Sequence, residues 1–129
     1  MGGLSASTPI PTEIKLHKQS RLLDLAFDDG KRFSLTCEYL RVFSPSAEVR
    51  GHGPGQEVLQ VGKKEVEITD VQPVGHYAVV LVFSDGHDSG IYSWDYLYDL
   101  GMMHEVYWPA YLRRLEEAGE SRESKVLIK

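Results

Sequence analysis

The stretch LLDLAFDDGKRFSLTCEYLRVFSP, residues 22–45, changes its hydrophobic period once. Leu23, Leu25 and Phe27 alternate before Asp-Asp-Gly, and Phe33 and Leu35 alternate after it. Alternation places one set of side chains on one face of a strand, and Asp-Gly between two such segments is a strong hairpin signal. From Tyr39 the spacing becomes helical: Tyr39, Leu40 and Phe43 share a face, Thr36 is placed as an N-cap, and Pro45 follows the last turn. A hairpin feeding directly into a short helix predicts an antiparallel start to an α+β domain.

Working outward, residues 13–36 read as two strands joined at Asp-Asp-Gly. Residues 1–11, rich in Gly, Ser, Thr and Pro, read as a flexible leader, so order is expected from about Glu13. Residues 45–64 carry three glycines and a proline within 51–55, too broken for regular structure and long for a mere connector. In residues 65–94, Val66 and Ile68 alternate, Tyr77 to Phe83 is a continuous apolar run that suits a strand buried on both faces, and Ile91 to Trp94 resumes after a polar loop. SWDYLYDLG, residues 93–101, places Trp94, Leu97 and Tyr98 on one helical face with Gly101 as the expected C-cap. YWPAYLRRLEEAGE, residues 107–120, is the clearest helix, with a stripe of Tyr111, Leu112 and Leu115 stopped by Gly119. The expectation is a single α+β domain over residues 12–119, a mostly antiparallel β-sheet with two or three short helices, followed by a charged tail at 120–129.

At 129 residues the chain suits one domain with one core. Its net charge of −5 argues against a general nucleic-acid binder, whose affinity would rest on Lys and Arg contacts to phosphates. No run approaches the ~18 apolar residues needed to span a bilayer, and the N-terminus lacks the charged and apolar regions of a signal peptide. A cytoplasmic protein is expected. The single cysteine, Cys37, excludes an internal disulfide and any four-cysteine site within one chain, and reads as a small buried residue.

Catalytic motifs are missing: there is no G-x-S-x-G, no Walker A loop and no H-E-x-x-H. Of the five histidines, His52 and His87 lie in loops with glycine and acidic or hydroxyl neighbours, so His87 with Asp85 or Asp88 and His52 is one candidate ligand set. The commoner fate of such a histidine is a hydrogen bond within a turn. RGHGPGQ, residues 50–56, offers backbone N–H groups and the side chains of Arg50 and His52 to an anion. Tyr92, Trp94, Tyr96 and Tyr98 form an aromatic row that serves either core packing or a partner-binding face.

Three stretches, FDDGKRFSLTCEYLR (27–41), LRVFSPSAEVRGHGPGQ (40–56) and FSDGHDSGIYSWDYLYDLG (83–101), make the chain resemble the gamma-butyrobetaine hydroxylase N-terminal-like domain, which in its free-standing bacterial form has no known function. The likeness runs from about Pro11 to Gly101. In the carnitine-pathway dioxygenases this domain binds a structural zinc through a C-P-C-x-x-C stretch and a later histidine. Laid on this sequence, the cysteines fall on Ser44, Ser46 and Val49 and the histidine on His87. Hydroxyls and a valine do not replace thiolates, so the resemblance implies the fold without the metal, and no cofactor is expected. The dioxygenase active site belongs to another domain, and similar domains are fused to Mrp-type ATPases that carry iron–sulfur clusters. The resemblance therefore implies a non-catalytic accessory module, with a protein partner in iron–sulfur or oxygenase-related metabolism. The alternative is a small-ligand or anion sensor built on the glycine-rich loop, with Arg50, His52, His87, Tyr92 and Trp94 as candidate binding residues.

Overall fold

The computed structural model describes residues 8–51 and 55–124, so His52 lies outside the described residues. The hairpin at Asp-Asp-Gly forms as expected: β2 (Leu22–Phe27) pairs antiparallel with β3 (Arg32–Thr36), and Gly30 supplies the positive φ of 90° that the turn requires. The stretch before it holds a further strand. β1 (Pro11–His17) pairs antiparallel with β2, turning back at residues 18–21, so residues 13–36 carry parts of three strands where two were expected. Pro11, at the end of the stretch read as leader, is already opposite Phe27.

α1 (Cys37–Val42) follows β3 without a linker, its first turn capped by the Thr36 hydroxyl, which accepts from the Tyr39 N–H at 3.0 Å. The segment expected to lack regular structure contains one helical turn, α2 (Ala47–Arg50), capped by Ser46 and ended by Gly51 at φ 72°. A second antiparallel sheet, in the order β4-β5-β6, comprises β4 (Ile68–Val74), β5 (Ala78–Phe83) and β6 (Ile91–Ser93). β5 is the central strand, with Ala78, Val79, Leu81 and Phe83 buried and Val80 and Val82 half-buried; Tyr77 falls outside it and is exposed.

α3 (Trp94–Met102) starts at the last residue of the Ile91–Trp94 segment and is capped by Ser93. Gly101 is inside this helix, not after it. A Cβ there would sit 2.5 Å from the Phe33 ring, so glycine serves the close approach of α3 to β3, and the helix ends at Met103. α4 (His104–Ala118) begins three residues before the stretch 107–120 read as helix and stops at Gly119 in the left-handed region. The fold is α+β, with two three-stranded antiparallel sheets and four helices among the described residues, one of them 15 residues long. No helix among the described residues is long and apolar enough to cross a membrane.

The core joins both sheets to the helices: Leu23, Leu25 and Leu35 of the first sheet and Ile68, Leu81 and Phe83 of the second pack in one cluster with Tyr39, Leu40, Leu97 and Leu100. Trp94 belongs to this cluster, and its indole N–H donates to the His76 carbonyl at 2.8 Å. Trp94→Ala is expected to cost ~3–5 kcal/mol in chemical denaturation, as for other buried aromatics. Trp94→Phe, which keeps most of the packing and loses the hydrogen bond, should cost about 1–2 kcal/mol.

Candidate functional site

At the end of α1 the chain enters the turn containing Ser44 and Ser46, both buried, and this turn packs against the loop from Ser84 to Gly90. Ser44 Oγ lies 2.8 Å from His87 Nε2, Ser46 Oγ lies 2.8 Å from Ser89 Oγ, and His87 Nδ1 reaches Glu48 Oε1 at 3.1 Å. Val49 is buried beside them at 6% exposure. The fold thus brings together Ser44, Ser46 and His87, which the sequence placed 40 or more positions apart, and supports them from α2.

Ser44, His87 and Glu48 are ordered like a serine, its base and the acid that orients the base. The surroundings do not suit a nucleophile. Ser44 Oγ also accepts from the Ser46 N–H at 3.2 Å, and a Cβ on Gly90 would overlap it. Ser44 is 1% exposed, and its hydroxyl is held between His87 and the Ser46 N–H.

A metal fits no better. Of the four positions laid on zinc ligands only His87 is a donor zinc favours, and both its ring nitrogens are hydrogen-bonded. Asp85, its expected companion, accepts from the His87 backbone N–H through one carboxylate oxygen, and through the other from Arg41 at 2.9 Å and Lys63 at 2.6 Å. Among the described residues no three His, Cys, Asp or Glu side chains gather to hold an ion.

The electrostatics of the cluster follow from burial. Desolvation and the nearby Arg41 guanidinium hold His87 below the ordinary histidine value of 6.5, outweighing the opposite pull of Glu48 and Asp85. The neutral ring then accepts from Ser44 at Nε2 and donates to Glu48 from Nδ1. Burial alone would raise Asp85, but Lys63, the His87 N–H and Arg41 together bring it below 3.8.

A cleft of about 700 Å³ opens beside this cluster, between the end of α1, α2, α3, α4 and the segment 57–60. Phe43 and Val49 form part of its floor, Tyr96, Tyr107 and Tyr111 line its walls, and Arg50 and Arg114 stand at its edge. The Arg50 guanidinium lies over the Tyr96 ring, 5.1 Å from its centre. Arg114 has one long contact, 3.4 Å to the Glu57 carbonyl. Neither guanidinium forms an ion pair with a carboxylate among the described residues.

The four candidate binding residues that are described therefore separate. Arg50 is at the cleft. His87 belongs to the buried cluster, and Tyr92 and Trp94 belong to the core, Tyr92 with no exposure and its hydroxyl donating to the Leu40 carbonyl at 2.6 Å. The aromatic row is broken at Ser93, where strand gives way to helix, so its members diverge: Tyr96 faces the cleft, and Tyr98 packs on Phe27 and Phe33. Sequence reasoning missed Tyr107 and Arg114 as cleft residues and saw Tyr111 only as helix stripe. The signal available was the i, i+4 spacing of Tyr107 and Tyr111, with Arg114 three residues further on.

Two outcomes are expected from this cluster. A depressed histidine means that the unfolded chain binds the proton more readily, so His87 contributes stability that is complete above pH 6.5 and is lost as pH falls below it. The stability–pH slope just below 6.5 should be positive, no steeper than about 1.4 kcal/mol per pH unit, and absent in His87→Gln; the Asp85 contribution is lost only below pH 3.8. Denaturant titrations across pH 4.5–8 measure it. Elemental analysis of purified protein should find no stoichiometric zinc, and a chelator should leave the melting temperature unchanged; zinc lost together with the fold would refute this.

No curated protein matches the chain. Among solved structures, two solution structures determined by NMR are similar to it: one at 46% identity and TM-score 0.80, with 95% of this chain and 98% of the other covered, and one at 49% and 0.79, covering 99% and 96%. A crystal structure of a protein of unknown function from Acidithiobacillus ferrooxidans, assigned to the DUF971 family, is similar at 42% identity and TM-score 0.60, with 70% of this chain and 91% of the other covered. Residues 14–98 match the family described as gamma-butyrobetaine hydroxylase-like, N-terminal, to which this chain belongs.

Proposed function

We propose that the protein is a non-catalytic binding module that takes a small ligand in the cleft between α2, α3 and α4. One observation carries this reading. Two guanidiniums that form no ion pair with a carboxylate among the described residues stand at the edge of a cavity whose size, about 700 Å³, lies within the range of small-molecule sites. The aromatic surface that would favour a protein partner is weaker support, because Tyr92 and Trp94 are in the core. An accessory role near iron–sulfur proteins would run through binding and not through cluster ligation, since Cys37 is 1% exposed.

A thermal-shift screen of small metabolites, with each hit mapped by NMR on the full chain, tests the reading. A ligand at a hundred times its Kd should raise stability by ~2.7 kcal/mol. Hits should perturb Arg50, Tyr96 and Arg114, and Arg50→Ala and Arg114→Ala should weaken them while staying within about 0.5 kcal/mol of wild-type stability, because both side chains are exposed. Hits that map elsewhere and ignore both substitutions would overturn it.

A further inference from the structure

We infer that the cleft selects a monocarboxylate joined to a flat apolar body, an inference that rests on the cleft being the binding site. The walls exclude several other classes. The backbone N–H groups of Phe43, Ser44, Arg50, Gly51 and Val58 all donate to carbonyls of the protein. These five amides are therefore not available to cradle a phosphate. The tyrosine hydroxyls are committed as well: Tyr96 donates to the Phe43 carbonyl, Tyr107 to Asp99 and Tyr111 to the Gln60 carbonyl. What these residues offer a ligand is ring surface, which suits a flat apolar group.

Arg50 and Arg114 supply the polar recognition. A guanidinium is a planar fork that matches a carboxylate with two parallel hydrogen bonds. Arg50 is already held against Tyr96, so less side-chain freedom is lost when it binds. Glu57 and Asp99 also line the cleft, and the Asp99 carboxylate accepts from the Tyr107 hydroxyl on its wall. They oppose a second negative charge on the ligand, which favours a monoanion over a phosphate dianion.

The isotope-labelled full chain is titrated with 3-phenylpropionate, 3-phenylpropionamide and inorganic phosphate, reading the Arg50 and Arg114 Nε–H signals and the ring signals of Tyr96, Tyr107 and Tyr111. The carboxylate should shift both sets saturably, the amide should bind about tenfold more weakly or less, and Arg50→Ala and Arg114→Ala should each weaken the carboxylate about tenfold with the remaining spectrum unchanged. Equal binding of the amide, phosphate acting as strongly as the carboxylate, no response to any probe, or indifference to both arginine substitutions overturns the ligand class. Saturable shifts from the probes that map wholly outside the cleft overturn the ligand class and the cleft reading together.

Discussion

α1 is six residues long and all six are buried. A helix leaves its last carbonyls without partners inside the helix, and in the interior water cannot supply them. Two tyrosine hydroxyls do so here: Tyr92 donates to the Leu40 carbonyl at 2.6 Å and Tyr96 to the Phe43 carbonyl at 2.5 Å. Tyr39 returns the connection, donating from α1 to the Leu100 carbonyl of α3 at 2.6 Å. Each bond is worth only ~0.5–1.5 kcal/mol net, but a buried carbonyl left empty costs ~1–3 kcal/mol, so α1 is stable in this position only with β6 and α3 in place. The strand-to-helix change at Ser93 meets that requirement, because it sends Tyr92 and Tyr96 to the Leu40 and Phe43 carbonyls, three residues apart at one helix end. The same requirement leaves the cleft wall with a tyrosine ring whose proton is already committed.

Where α1 ends, the fold faces a second demand: the turn at Ser44–Ser46 must be held to the Ser84–Gly90 loop. In the dioxygenases that the sequence resembles, a zinc ion joins these positions, and a structural zinc contributes on the order of 10 kcal/mol. Three side-chain hydrogen bonds, Ser44–His87, Ser46–Ser89 and Glu48–His87, contribute roughly 2–4 kcal/mol together. The difference falls to neighbours that need no metal. Arg41 reaches Asp85 from α1, Val49 is buried at the same place, and Gly90 lets the two backbones approach within reach of a serine side chain. Buried groups of this kind hold position more than they add stability, which matches a cluster whose side chains hydrogen-bond to one another.

Much of the fold was legible in local sequence. The Asp-Asp-Gly hairpin, the Thr36 cap, the central strand after Tyr77 and the stop at Gly119 each rest on neighbours in the chain, and each was found. β1 was merged with β2 because the turn between them, residues 18–21, uses a positive φ at Arg21 and no glycine or proline to announce it. Gly101 was read as a cap because its reason, the Phe33 ring, is 68 residues away in sequence. The site was less legible for the same cause. Nothing local distinguishes Tyr92, which enters the core, from Tyr96, which faces the cleft, until the helix start at Trp94 is known. The pairing of Ser44 with His87 came only through a resemblance, since spacing does not carry it.

The chain is acidic as a whole, and that bears directly on what the cleft can hold. Exposed charges farther away than about 8 Å are largely screened at physiological salt, so the net charge of −5 weighs little against two guanidiniums at contact distance. Selection is then local, with Arg50 and Arg114 attracting an anion and Glu57 and Asp99 limiting its charge. Asp99 is partly occupied, since it accepts from the Tyr107 hydroxyl at 2.7 Å and pushes that group up to about 12. A tyrosine held in its protonated form by a neighbouring carboxylate does not become a second negative charge in the cleft at physiological pH. The wall therefore keeps one electrostatic state across the neutral range, and the depressed His87 sits behind the floor in its neutral form. Recognition in the cleft is left to the arginines and the ring surfaces, whose charge and shape are constant there.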